Sequence, residues 1–220
     1  MLFLHGYLSS KEAFTAQVEY FSRFFRVTAF DFLGFGHSKK LTEPFSVSDY
    51  AAWTRETLAL LGVEKPIVVA HSFGSRVAVK LESEYPLTVE KMLLTGAAGV
   101  IMKRGFSYRA KVKAYRLVKR FAPQFAEKRF GSKEYRTLSP VMRESYKKIV
   151  NEDLRKDAAR VCCPILFVTG EEDCTTPLRE TQAYLHAVQN GKIRVMQGGH
   201  FAFAEHPIEF NLILEEFIYG

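Results

Sequence analysis

The sequence predicts an α/β architecture: a mostly parallel sheet with helices on both faces, interrupted once by a helical insertion. Three observations predict it. Short apolar runs alternate with helical patterns, a serine stands on a strand-to-helix turn, and one long stretch lacks any strand candidate. At 220 residues the chain has the length of one domain with a substantial core.

Taken in order, the strand candidates are residues 1–4, 26–30, 67–70, 91–95, 165–169 and 193–196. Each is a short apolar run bounded by turn or polar residues, which is the signature of a buried strand. Helix candidates are residues 14–24, 50–61, 75–85, 178–188 and 208–217. Asp49 or Ser48 can cap the second, and Gly62 can end it. Strand and helix repeated in this way imply parallel pairing with right-handed crossovers.

The rhythm breaks between Thr95 and Cys162, where the sequence is basic, aromatic-rich and helical, with breaks at Gly105, Pro123, Gly131 and Pro140. A segment of that length is too long for a structureless loop in a compact domain. It is expected to be a helical lid over the sheet edge. Residues 1–99 and 161–220 then form the core, and residues 100–160 the lid. Phe106, Tyr108, Tyr115, Phe121, Phe125 and Phe130 are the lid aromatics available to line an apolar pocket, though packing of the lid onto the sheet is the simpler role for most.

The net charge of +7 is localised. Residues 101–160 hold 18 Lys/Arg against 6 Asp/Glu, so the rest of the chain is acidic. A solvated helical face is the expected reading, with weak contact to anionic surfaces second. Nucleic-acid binding is not expected, because no recognition motif accompanies the charge. No apolar run approaches the ~20 residues that span a bilayer, and the opening residues lack a signal-peptide core. The three cysteines, two of them adjacent, form no disulfide framework or spaced metal site. Buried or inert thiols in a reducing cytoplasm are expected.

The chemistry begins at Ala70-His71-Ser72-Phe73-Gly74, between an apolar strand and a helix. Such a turn strains the nucleophile's backbone and lifts its hydroxyl above the sheet, with small residues required two before and two after. A serine nucleophile needs a base, and the base needs an orienting acid. The strand at 165–169 runs into Gly170-Glu171-Glu172-Asp173, and the last strand runs into Gln197-Gly198-Gly199-His200. Both loops follow a strand's carboxyl end, the edge where open α/β sheets bind ligands. Ser72, Asp173 and His200 are therefore the expected triad, with Glu171 and Glu172 open as alternatives for the acid. His206 is expected at the start of the last helix, His186 within a helix, and His37 within reach of the site from its loop.

An oxyanion needs aimed donors. The backbone N–H groups of Phe73 and Tyr7 are the candidates, the latter from the loop after the first strand. His71 points the wrong way along the turn to act as base. With His5, Gly6 and Phe201 it is placed among substrate-contacting positions. The turn at residues 31–38 is glycine-rich but lacks both the P-loop and the dinucleotide spacing, so it shapes a loop rather than binding phosphate.

Together these motifs resemble the α/β-hydrolase superfamily: the His5-Gly6 turn, Asp31-x-x-Gly34-x-Gly36-x-Ser38, the Ser72 elbow, Gly170-x-x-Asp173-x-x-x-Pro177 and Gly199-His200. They are most similar to its lidded members, which include carboxylesterases, carbon–carbon bond hydrolases and prolyl-aminopeptidase-like proteins. The resemblance spans essentially the whole chain. It implies a Ser-Asp/Glu-His triad, an oxyanion hole from the two loops, and no cofactor. Residues 131–136 and 150–154 also resemble lids of bacterial members. Relatives that open epoxides or displace halide carry Asp at the elbow, so Ser72 favours acyl transfer to water.

Three departures stand out. Ala70 and Ser75 occupy positions where glycine is usual, and family members carry an antiparallel hairpin before the His5-Gly6 strand. Without that hairpin the strand at 26–30 is expected to present an open edge. The expected activity is hydrolysis of a small acyl ester. Cleavage of an acidic diketone is the alternative reaction, and a non-catalytic binding protein the alternative class.

Overall fold

The computed structural model describes residues 1–102, 135 and 137–220. Six strands form one all-parallel sheet: β1 (Leu2–Leu4), β2 (Thr28–Ala29), β3 (Ile67–His71), β4 (Lys91–Thr95), β5 (Ile165–Gly170) and β6 (Gly191–Met196). Their spatial order is β2-β1-β3-β4-β5-β6. The order reverses direction beside β1 and β3, and loops after those two strands therefore flank the same crevice.

Alternation along each strand splits the core into two layers. Leu2, Leu4, Val68, Ala70, Met92, Leu94, Ile165 and Phe167 face one side, packing on helices α2 (Val47–Leu60) and α3 (Phe73–Glu84). Phe3, Val69, Leu93, Leu166 and Val168 face the other. There they meet α1 (Thr15–Phe21), through Phe21, and the C-terminal helix Pro207–Tyr219, through Phe210 and Leu214. Both faces of the central strands are covered, which is why they read as unbroken apolar runs.

The edge strands differ from the buried strands expected. β2 has only two paired residues, both half-buried, and among the described residues its outer edge pairs with nothing. Lys192, Arg194 and Val195 of β6 are exposed rather than core residues. Ser46 caps α2, not Ser48 or Asp49. Its hydroxyl accepts the Asp49 N–H while the Asp49 carboxylate accepts the Ser46 N–H, a reciprocal box. Gly62 follows at φ 59°, as expected of a helix stop. The first helix is shorter than its pattern suggested, being preceded by a 3₁₀ turn at Lys11–Phe14.

Of the expected lid, residues 103–134 and 136 lie outside the described residues, and with them all six aromatics named above. What is described is α4 (Pro140–Val150) and the short α5 (Arg155–Ala158), with no strand. Ser139 caps α4, with Pro140 at its first position. The chain returning from α4 is pinned to α3 by charge. Lys80, 5% exposed, pairs with Glu152 at 2.6 Å and Asp157 at 3.0 Å. On the described stretch of the basic segment, Arg155 and Arg160 pair with Asp153 and Asp157. The remaining helices are α6 (Leu178–Leu185), α7 (Ala202–Glu205) and α8 (Pro207–Tyr219). His206 is the residue before α8 and His186 the residue after α6. Among the described residues no helix is long and apolar enough to cross a membrane.

Candidate active site

Ser72 sits between β3 and α3 with φ 50° and ψ −106°, a conformation that L-residues rarely adopt. The turn is held by close packing. A Cβ on Gly74 would collide with the Leu4 carbonyl oxygen, so only glycine lets the helix approach β1 this closely. Ala70 is fully buried. Ser75 is accommodated because its hydroxyl turns inward and donates to the Ala70 carbonyl at 3.0 Å.

The acid loop and the last loop meet through Asp173 and His200. His200 Nδ1 lies 2.8 Å from Asp173 Oδ2. The ring N–H donates there, which leaves Nε2 as the lone-pair nitrogen of the neutral imidazole. Asp173 is 4% exposed and thoroughly hydrogen-bonded. Its Oδ1 accepts the N–H groups of Thr175 and Thr176, and its Oδ2 accepts the Thr176 hydroxyl. Burial alone would raise its pKa, but the bonds from His200 and Thr176 outweigh burial and hold it at about 2. Glu171 and Glu172 are exposed. Geometry therefore separates the three acids that sequence left together.

Ser72 and His200 line one cavity of about 1290 Å³, with Gly6, Tyr7, Phe73 and Phe201 also in its wall. The Ser72 hydroxyl makes no hydrogen bond among the described residues, so its contact with His200 is not closed in this state. Such contacts often tighten only with substrate bound. The N–H groups of Tyr7 and Phe73 donate to no acceptor among the described residues, Phe73 being the first residue of α3. Phe201 is 44% exposed, with its ring centroid 5.5 Å from that of His200.

Of the two histidines expected among the substrate contacts, His5 lies outside the cavity wall and His71 borders it. The Nδ1 of His5 donates to the adjacent Gly6 carbonyl at 2.7 Å, and its Nε2 accepts the Phe32 N–H at 3.0 Å, which ties its loop to the one after β2. His71 borders the cavity but is 1% exposed, and its Nε2–H donates to the His200 carbonyl at 3.0 Å. It underlies the His200 loop, with the two ring centroids 4.7 Å apart.

The loop at 31–38 closes on its own aspartate. Asp31 accepts the N–H groups of Lys11 and His37, and a Cβ on Gly36, at φ 50°, would collide with its carboxylate. His37 is exposed and outside the cavity wall. Of the cysteines, Cys162 and Cys174 are exposed rather than buried, and burial raises the Cys163 thiol to about 12.

Sequence reasoning missed several supports. Thr176 orients Asp173, Glu205 accepts the Gly199 N–H at 2.6 Å, and Tyr146 of α4 packs on the Tyr7 ring. The Thr175-Thr176-Pro177 string was a signal for the first only in that hydroxyls in a turn make local hydrogen bonds.

His71 carries a pH dependence. Burial drives its pKa from 6.5 to about 3, so the folded protein keeps the ring neutral while an unfolded chain protonates it. Its stability contribution is complete above about pH 6.5 and declines as pH falls from there toward 3, by up to about 1.4 kcal/mol per unit. His5, also lowered by burial, acts in the same direction. Urea unfolding should therefore give a lower midpoint at pH 5.5 than at pH 7, with the difference reduced in His71→Gln. Equal midpoints at the two pH values would contradict this.

Comparison with known proteins agrees with the fold. Residues 1–153 match the family model for the alpha/beta hydrolase fold. A protein of Mycobacterium tuberculosis with no assigned activity is 24% identical over 99% of this chain and 74% of its own length. The 2-hydroxymuconate semialdehyde hydrolase of Pseudomonas putida is 25% identical over 88% of this chain and 76% of its own. Among solved structures, an esterase from Exiguobacterium antarcticum superposes with TM-score 0.78 at 19% identity, covering all of this chain and 91% of that one. Because the family match runs from β1 through the Ser72 turn and past α4, the chain belongs to the α/β-hydrolase fold family.

Proposed function

We propose that this protein is a serine hydrolase of acyl bonds, with a small ester as its first substrate class. The observation that carries the reading is the buried Asp173 bonded to His200, whose ring lines the same cavity as Ser72 on its strained turn. His200 Nε2 takes the Ser72 proton as Oγ bonds to the acyl carbon. The carbonyl electrons move to the oxygen, held by the N–H groups of Tyr7 and Phe73. The C–O bond to the leaving group then breaks, and His200 returns the proton to that group. Water repeats the sequence on the acyl-enzyme, releasing the acid and free Ser72.

Asp173 stays ionised throughout, fixing the imidazole tautomer and stabilising the imidazolium. The segment 100–160 acts as a lid in this reading. Its described residues support that role, since Tyr7 donates from its hydroxyl to the Met142 carbonyl and Tyr146 and Ile149 of α4 line the cavity.

A second reading, carbon–carbon bond hydrolysis of an acidic diketone, is favoured by the relative named 2-hydroxymuconate semialdehyde hydrolase. A panel of p-nitrophenyl esters and acidic diketones tests both. Turnover of the esters with release of p-nitrophenol supports the first reading. Diketone cleavage alone replaces it with the second, and no turnover of either class removes both.

A further inference from the structure

One buried cation in the cavity wall has no carboxylate partner among the described residues. Arg76 lies near the start of α3, the helix that begins directly after Ser72. It is 7% exposed and lines the cavity that holds Ser72 and His200. Its Nη1 donates to the Glu152 carbonyl at 2.8 Å. That neutral contact uses one of the five N–H donors of a guanidinium.

The acids around it are engaged elsewhere. Glu152 pairs with Lys80, and Asp153 pairs with Arg155 and accepts the Ile101 N–H. Glu180 also lines the cavity, and with Glu152 and Asp153 it acts on Arg76 through space, without an ion pair to it among the described residues. Among the described residues no carboxylate comes within ion-pairing distance of Arg76. Burying a charge without a counter-charge is costly, and buried arginines are almost always paired. A second cation, Arg179, stands in the same wall, adding to the positive field.

We propose that Arg76 is an anion anchor of the cavity, selecting substrates whose acyl chain ends in a carboxylate. The inference rests on the serine-hydrolase reading for the position of the acyl group. The leaving group must reach His200 to collect its proton, and His200 is surrounded by Asp173, Thr176, His71 and Phe201. Arg76 is bonded instead to the Glu152 segment, so its anion belongs to the acyl side. A planar guanidinium matches a carboxylate with two parallel hydrogen bonds, a geometry that lysine does not reproduce.

The test compares mono-p-nitrophenyl glutarate with p-nitrophenyl valerate, which has the same chain length without the charge. In wild type the glutarate half ester should have the higher kcat/KM. In Arg76→Gln, which keeps an amide donor for the Glu152 carbonyl, the glutarate-to-valerate ratio should fall at least tenfold. An unchanged ratio would overturn the proposal. A binding measurement needs neither turnover nor a variant: by saturation-transfer NMR, wild-type protein should bind glutarate and not glutaramide. Equal binding of the two, or binding of neither, would overturn the anchor even if Arg76→Gln does not fold. If neither ester is turned over, the serine-hydrolase reading fails by itself, and the glutarate measurement, repeated on Arg76→Gln and on Arg179→Gln, still decides Arg76: loss of binding in the first alone supports the anchor, and loss in the second alone overturns it.

Discussion

Ser72→Ala should lower kcat on a p-nitrophenyl ester by about 10⁴- to 10⁶-fold, because the variant has no oxygen to bond to the acyl carbon. The residual rate over water would come from the two amides and from binding in the cavity. Folding should be little changed, since the Ser72 hydroxyl makes no hydrogen bond among the described residues and its loss leaves no buried partner unsatisfied. The backbone at φ 50° should also persist, because Gly74 and its contact with the Leu4 carbonyl still hold the turn in place. Steady-state kinetics alongside a thermal melt checks both halves. Wild-type turnover in a folded variant would be incompatible with the mechanism.

Asp173→Asn should cost about 10³- to 10⁴-fold in kcat, by the reasoning that applies to the orienting acid of other triads. The amide can hydrogen-bond, but it presents an N–H or a neutral oxygen where His200 now meets a carboxylate at 2.8 Å. The imidazole then loses its tautomer preference and the countercharge for the imidazolium. Glu171→Gln and Glu172→Gln, at exposed positions on the same loop, should leave kcat at the wild-type level. A large loss in either glutamate variant, with Asp173→Asn active, would move the acid along the loop.

How far the sequence foretold this arrangement depends on the residue. The central strands were legible because sheet burial on both faces leaves apolar runs, as in Ile67-Val68-Val69-Ala70. The Ser72 turn, the acid loop and the His200 loop were legible because each follows such a run. Legibility failed where burial was partial. β2 pairs over two residues, and β6 leaves Lys192 and Arg194 outside the core, so neither has a core strand's pattern in space. The helix cap at Ser46 lies two or three residues ahead of Ser48 and Asp49, a displacement within the usual uncertainty of a helix boundary read from pattern.

The site shows the same division. Residue types with obvious chemistry stood out, whereas residues acting through position did not. His5 looked like a substrate contact because it flanks the loops of the site, yet it is a buried tie between loops, whereas His71 ties the His200 loop and also borders the cavity. Only coordinates distinguish a histidine facing the cavity from one beneath it. Arg76 is the converse case. In sequence it is one charge in an amphipathic helix. Its meaning comes from the cavity it lines and from the lack of a carboxylate beside it among the described residues.

The proposed mechanism requires Ser72 to be the nucleophile that His200 activates, and covalent trapping reports on that directly. Incubation with a fluorophosphonate followed by peptide mass mapping should place one phosphonyl adduct on Ser72, with labelling greatly slowed in a His200→Ala variant. An adduct on another residue, or none on folded protein, would contradict it.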